Sequence, residues 1–190
     1  MSVVNGSYLI ARTLKEEGVD TLFYLMGGPD FDIVMSCQDL GIRTIDFRHE
    51  QAAAFAAHAY ARITGKPGVC TAASGPGTLN LLTGVYTAAI DCAPMVVLGG
   101  ASPVHEISRE AFQEVDQVGI MQPLCKYWHR TTSAARYPEI VSTAYRQAMS
   151  GRPGPVYIDC GADVLYEDIE EDSAVQPSRS AKRSRPAAEP

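Results

Sequence analysis

Gly68-Val69-Cys70-Thr71-Ala72-Ala73-Ser74-Gly75-Pro76-Gly77, running on into Thr78 to Ala89, decides the fold. Gly68 to Ala73 reads as a strand and Ser74 to Gly77 as a tight turn. Thr78 to Ala89 reads as the helix that the turn opens. A strand delivered directly into a helix is one half of a βαβ unit, so the neighbouring segments should repeat it.

They do, on both sides. Toward the N-terminus, Tyr8, Leu9, Ala11 and Leu14 fall at helical spacing within Gly6 to Glu17, with Asn5 or Ser7 as cap and Gly18 as stop. Thr21 to Met26 is an apolar, β-prone run that opens through Gly27-Gly28-Pro29-Asp30 into a helix near Phe31 to Cys37. Arg43 to Asp46 is a short strand leading through Arg48-His49-Glu50 into an alanine-rich helix, Gln51 to Ile63.

Toward the C-terminus, Met95 to Leu98 has the almost purely apolar character of a strand buried on both faces, ending at Gly99-Gly100. Residues 104–123 form a long, partly helical connection. Leu124 to Thr131 reads as extended and Arg136 to Met149 as a helix. Gly151-Arg152-Pro153-Gly154-Pro155 makes a stiff turn into Val156 to Cys160. The alternation implies right-handed βαβ units around a mainly parallel sheet, a three-layer α/β/α domain. Ligands of such sheets bind beyond the carboxyl ends of the strands. The turns at 27–30, 46–50 and 74–77 all follow strands and are expected to gather on that edge.

Composition bounds the rest. At 190 residues, 46% apolar and 20% charged, the chain matches one globular domain. The domain is expected over residues 1–165. An acidic run (Glu167, Asp168, Glu170, Glu171, Asp172) and then Arg179, Lys182, Arg183 and Arg185 among Ser, Pro and Ala predict a flexible, linker-like tail over 166–190. The net charge of −6 gives no support to a nucleic-acid footprint. The run Ala93 to Ala101 is about half the length that spans a bilayer. With no signal-type apolar segment, a cytoplasmic protein without membrane contact is expected. Five scattered cysteines make no disulfide framework, and Cys70, Cys92 and Cys160 read as small buried thiols. No spacing suggests a metal site.

Neither Gly27-Gly28 nor Gly75-Pro76-Gly77 is a dinucleotide fingerprint or a phosphate loop, and both are turns first. Glu50 is more informative. It stands at the start of an alanine-dense helix, where a carboxylate either complements the helix dipole or, half buried, shares a proton with a ring nitrogen. His49 beside it reads equally as an orienting or a surface group.

Phe47-Arg48-His49-Glu50-Gln51-Ala52-Ala53-Ala54, Tyr60-Ala61-Arg62-Ile63-Thr64-Gly65-Lys66-Pro67-Gly68 and Ser74-Gly75-Pro76-Gly77-Thr78-Leu79-Asn80 together resemble a known family. It is the N-terminal pyrimidine-binding domain of thiamine-diphosphate-dependent enzymes of the acetolactate synthase group. Pro94-Met95-Val96-Val97-Leu98 and Ala111-Phe112-Gln113-Glu114 continue the resemblance, which covers about residues 5–165. The resemblance implies that Glu50 hydrogen-bonds N1′ of the aminopyrimidine and so assists loss of the proton from C2 of the thiazolium. It implies cofactor-binding roles for Gly27, Gly28, Pro76 and Asn80 beside Glu50, and puts Phe112 and Gln113 near a substrate channel for a 2-oxo acid.

The sequence also departs from the family. Tyr24-Leu25-Met26-Gly27-Gly28 replaces the usual Tyr-Pro-Gly-Gly, and Gly99-Gly100-Ala101 stands where many members have Gly-Gln. The family holds diphosphate and Mg²⁺ on a separate domain marked by Gly-Asp-Gly, and this sequence contains no Gly-Asp-Gly. The resemblance therefore implies an oligomeric site completed by a diphosphate-binding domain or subunit, with the chain inactive alone. Lys182, Arg183, Arg185 and Pro186 resemble the linker to the family's middle domain, which favours a truncated product over a genuine small subunit. Two other readings stand beside the acetolactate synthase-like one. One is a portion of an oxalyl-CoA or sulfopyruvate-type decarboxylase, and the other a catalytically silent interaction domain.

Overall fold

The computed structural model describes residues 2–177. In chain order its elements are β1 (Val3–Asn5), α1 (Gly6–Glu16), β2 (Thr21–Leu25), α2 (Phe31–Asp39), β3 (Arg43–Asp46) and α3 (Glu50–Thr64). They continue with β4 (Gly68–Ala72), α4 (Pro76–Asn80), α5 (Leu82–Ile90), β5 (Met95–Ala101), α6 (Gln117–Met121) and β6 (Tyr127–Thr131). The last are α7 (Tyr137–Met149), β7 (Pro155–Gly161), α8 (Ala162–Leu165) and β8 (Asp168–Glu170). Six strands form one sheet in the order β3-β2-β4-β5-β7-β6, every pair parallel.

The three layers follow from strand alternation, which turns successive side chains to opposite faces. Val69, Val96, Leu98, Val156 and Ile158 meet the apolar stripes of α1, α2 and α7. Cys70, Ala72, Met95, Val97 and Tyr157 meet α3, α5 and Met121 on the other face. The alanines of α3 let it lie close to the sheet. A Cβ at Gly68 would stand 2.0 Å from the Ala57 carbonyl oxygen, and one at Gly84 would stand 2.5 Å from Ala54 Cβ. No helix among the described residues is long and apolar enough to cross a membrane.

Three local readings change. The helix expected over 78–89 starts at Pro76 and divides at Leu81, whose N–H bonds Thr78 O three residues back. The strand expected to stop at Leu98 continues through Gly99-Gly100-Ala101, paired with Asp159–Gly161. Its glycines make room rather than end the strand, since a Cβ at Gly99 would lie 2.4 Å from the Tyr157 hydroxyl. Cys92 is only partly buried and has a left-handed φ of 53°, with Arg152 Nε 2.9 Å from its sulfur, whereas Cys70 and Cys160 are buried.

The start of the expected flexible tail also has structure. β8 pairs antiparallel with β1, Ala174 is buried, and the Val175 N–H donates to Ala135 O. Glu171 pairs with Arg12, which binds the acidic run to α1. The basic part of the tail, 178–190, lies outside the described residues.

Candidate active site

The three turns that follow β2, β3 and β4 meet at the carboxyl edge of the sheet. Glu50 is the first residue of α3. The preceding His49 caps that helix through Nδ1, which accepts from the Gln51 N–H at 3.2 Å. His49 is thus an exposed helix cap. Glu50 is 9% exposed. Its Oε2 accepts from the Asn80 side-chain amide at 3.0 Å, and its Oε1 faces the backbone of Gly77, where a Cβ would stand 3.4 Å away. Among the described residues nothing hydrogen-bonds Oε1. The site therefore has one carboxylate oxygen held in place and one available to a donor.

Gly27 closes the opposite side. A Cβ there would lie 2.2 Å from Ala73 Cβ, so only glycine allows β2 and β4 to release their turns this close together. Gly28 has open space on its Cα, and its carbonyl accepts from the Tyr166 hydroxyl at 2.7 Å. Pro76 takes the first turn of α4, where its missing N–H costs no helical bond. Gly77, Asn80 and Glu50 are thus in mutual reach, and Gly27 joins them through Ala73.

Two buried polar groups here were not singled out from the sequence. Asp30 is fully buried, its Oδ1 accepts from the Gly27 N–H at 2.9 Å, and among the described residues its Oδ2 has no hydrogen-bond partner. Burial pushes its carboxyl up to about 6; the Gly27 N–H pulls against this and the nearby Glu50 adds to it. Gln117, 1% exposed, accepts the Gly75 N–H on Oε1 at 2.5 Å. Its Nε2 lies 3.0 Å from Gly100 O, 2.9 Å from the Tyr157 hydroxyl and 2.8 Å from Asp159 Oδ1. Burial, reinforced by Asp159, pushes the Tyr157 phenol well above its ordinary range, and its hydroxyl donates to Asp159 Oδ1.

The segment after β5 is built differently. Ser108, Glu110 and Gln113 all have left-handed φ, from 57° to 66°. The Glu114 carboxylate accepts from the N–H groups of Ser108 and Ala111, which hold it below the usual carboxylate range. Gln113 accepts from the Ser74 hydroxyl at 2.7 Å, so it touches the turn that leads to α4. Phe112 points outward and is 86% exposed. Behind this segment lies a cavity of about 650 Å³ lined by Gln113, Gln117, Arg130 and Asp159 among others, and Glu50 is not part of its wall. The described residues include no cluster of three or more His, Cys, Asp or Glu suited to a metal ion.

Comparison with known proteins adds a second line of observation. Residues 4–120 match the family described as thiamine pyrophosphate enzyme, N-terminal TPP binding domain. The chain is 41% identical over 179 residues to a probable acetolactate synthase large subunit of Methanococcus aeolicus, covering 93% of this chain and 29% of that protein. It is 44% identical over 170 residues to an acetolactate synthase large subunit of Parasynechococcus marenigrum, covering 87% and 28%. It is 42% identical over 168 residues to 2-hydroxyacyl-CoA lyase 2 of Bos taurus, covering 87% and 26%. The chain thus spans less than a third of the length of these curated relatives.

Proposed function

The chain belongs to the thiamine pyrophosphate enzyme family as an N-terminal TPP-binding domain, and on that premise we propose that it is the aminopyrimidine-holding half of a lyase or carboligase site. The observation that carries this reading is the Glu50 carboxylate, semi-buried, held at Oε2 by Asn80 and unbonded at Oε1 beside the Gly77 backbone. An aminopyrimidine fits that arrangement, because a flat ring needs a glycine-lined wall and its N1′ needs one buried carboxylate oxygen.

When bound, the cofactor supplies the carbanion-stabilising chemistry. The residues of this chain orient it and manage one proton. Glu50 Oε1 would share that proton with N1′, while Asn80, bonded to Oε2, would keep the carboxylate from rotating away. Gly27, Gly28 and Pro76 would give the ring backbone to lie against. Phe112 and Gln113 border the approach of substrate. Diphosphate and Mg²⁺ would be held by a partner domain or subunit facing this edge, and turnover would require that partner.

The substrate class is a 2-oxo acid, as for acetolactate synthase. A second reading, an acyl-CoA-type lyase or decarboxylase, is supported by the similar identity to a 2-hydroxyacyl-CoA lyase, 42% against 41% and 44% for the two acetolactate synthases. With a diphosphate-domain partner present, Glu50→Gln is expected to slow exchange of the cofactor C2 proton by about a hundredfold or more. Proton exchange followed by NMR measures this, and an unchanged rate sinks the role of Glu50. Assays of the pair with 2-oxo acids and with 2-hydroxyacyl-CoA thioesters separate the two substrate classes. A pair inactive on both, without cofactor binding, would mark a catalytically silent domain.

A further inference from the structure

We infer that Gln117 is a positioning residue for the Glu50 carboxylate, acting through the Gly75 N–H and the short helix α4 that ends at Asn80. The inference rests on the reading of Glu50 given above but is carried by a separate set of contacts. α4 has only five residues, too few to be stable as an isolated helix. Its N-cap, Gly75, has no side chain to bond the first turn and adopts φ 58°, ψ −115°. The Gly75 N–H is taken instead by Gln117 Oε1. On its other side the Gly75 Cα is closed off, since a Cβ there would meet Gln113 O at 2.4 Å.

The orientation of the Gln117 amide is not free. On its Nε2 side stand three acceptors: Gly100 O, Asp159 Oδ1 and the oxygen of a Tyr157 hydroxyl whose own proton is committed to Asp159. A flipped amide would bring Oε1 against those acceptors and Nε2 against the Gly75 N–H, so every contact would become repulsive. Asp159 is itself fixed by Arg130 Nε at 2.6 Å. A chain of oriented hydrogen bonds therefore runs from β6 and β7 across β5 to Gly75. From there the backbone of α4 sets where the Asn80 amide meets Glu50 Oε2.

The test uses the 190-residue chain without cofactor, reading Gly75 amide exchange and the Asn80 side-chain amide signals by NMR. In Gln117→Met, Gly75 exchange is expected to rise about tenfold, with the Asn80 side-chain signals displaced. Gln117→Asn, too short by one methylene to reach Gly75, is expected to do the same while keeping a polar head in the site. Tyr157→Phe removes one acceptor at Nε2 but spares the Gly75 bond, and should leave both signals in place. A merely structural role for Gln117 would move Tyr157→Phe and the Gln117 variants alike, and that result would overturn the inference. So would unchanged Gly75 and Asn80 signals in either folded Gln117 variant, or failure of both to fold. If the wild-type chain and its partner bind no thiamine diphosphate, the functional reading falls while this inference is still judged by the Gly75 and Asn80 signals.

Discussion

The edge that carries Glu50 and the segment 102–116 sit side by side on the same end of the sheet and are held by opposite means. Glu50, Gly77 and Asn80 are aimed by regular elements, each a residue or two beyond a strand or inside a helix. Ser108 to Gln113 are aimed by side chains that bond the backbone and by three residues in left-handed conformations. A site residue on the first kind of support moves only with its helix or strand, and the short α4 is itself tied at Gly75 by Gln117. One on the second kind moves when a single hydrogen bond is lost. Such a region belongs to the low-stability end of a fold, where loops that meet ligands are usually found.

The difference can be broken most forcefully at Gly68. In Gly68→Ala the new methyl would meet the Ala57 backbone oxygen at 2.0 Å, so α3 must lift from β4. A loss of about 3 kcal/mol in urea unfolding is expected, with Glu50 displaced and the 102–116 segment little changed locally.

Asp30→Asn sharpens the comparison in the opposite direction. The folded carboxyl, near 6, lies above its ordinary 3.8. Between those values the native state binds more protons than the unfolded one, so this group makes stability fall as pH rises from about 4 to about 6, with a constant deficit above. Asparagine keeps an oxygen for the Gly27 N–H. The variant is therefore expected to gain about 2 kcal/mol over wild type at pH 7.5 and little at pH 4, measured by chemical unfolding at each pH. A difference independent of pH would show that Asp30 is not the buried acid described.

The smallest effect is predicted in the loop. Glu114→Gln weakens two charge-assisted bonds to backbone N–H groups. Ser108 and Ala111 amides should exchange about fivefold faster, with no measurable change in thermal midpoint. A change in that midpoint would mean the segment is part of the cooperative core and would erase the contrast.

The same contrast explains what was legible beforehand. β3 coincides with the residues read from the sequence, and β2, β4 and α7 lie within a residue of theirs, because their signals are local: an apolar run, a turn, a periodic stripe. The gathering of the 27–30, 46–50 and 74–77 turns followed from parallel topology alone. Gly99-Gly100 reads as a strand end because the causes of its glycines, the Tyr157 ring at Gly99 and Ala72, Pro29 and Ser74 at Gly100, lie elsewhere in the chain. Asp30 was read only as part of a Gly-Gly-Pro-Asp turn. The signal available was an acid three residues after a glycine and just before a helix, the spacing at which a carboxylate reaches back to a backbone N–H. Gln117 gave no such signal, since its partners, Gly75, Gly100 and the pair Tyr157 and Asp159 on β7, come from three separate parts of the chain. Phe112 and Gln113 were singled out by resemblance, and nothing in their local sequence announces a left-handed backbone at Gln113.

The clasp between Tyr166 and Gly28 joins positions 138 residues apart. Just beyond Tyr166 the chain is stitched to β1 by β8. The Tyr166 hydroxyl therefore ties the Gly27–Gly28 turn to the stretch where α8, continuous with β7, passes into β8.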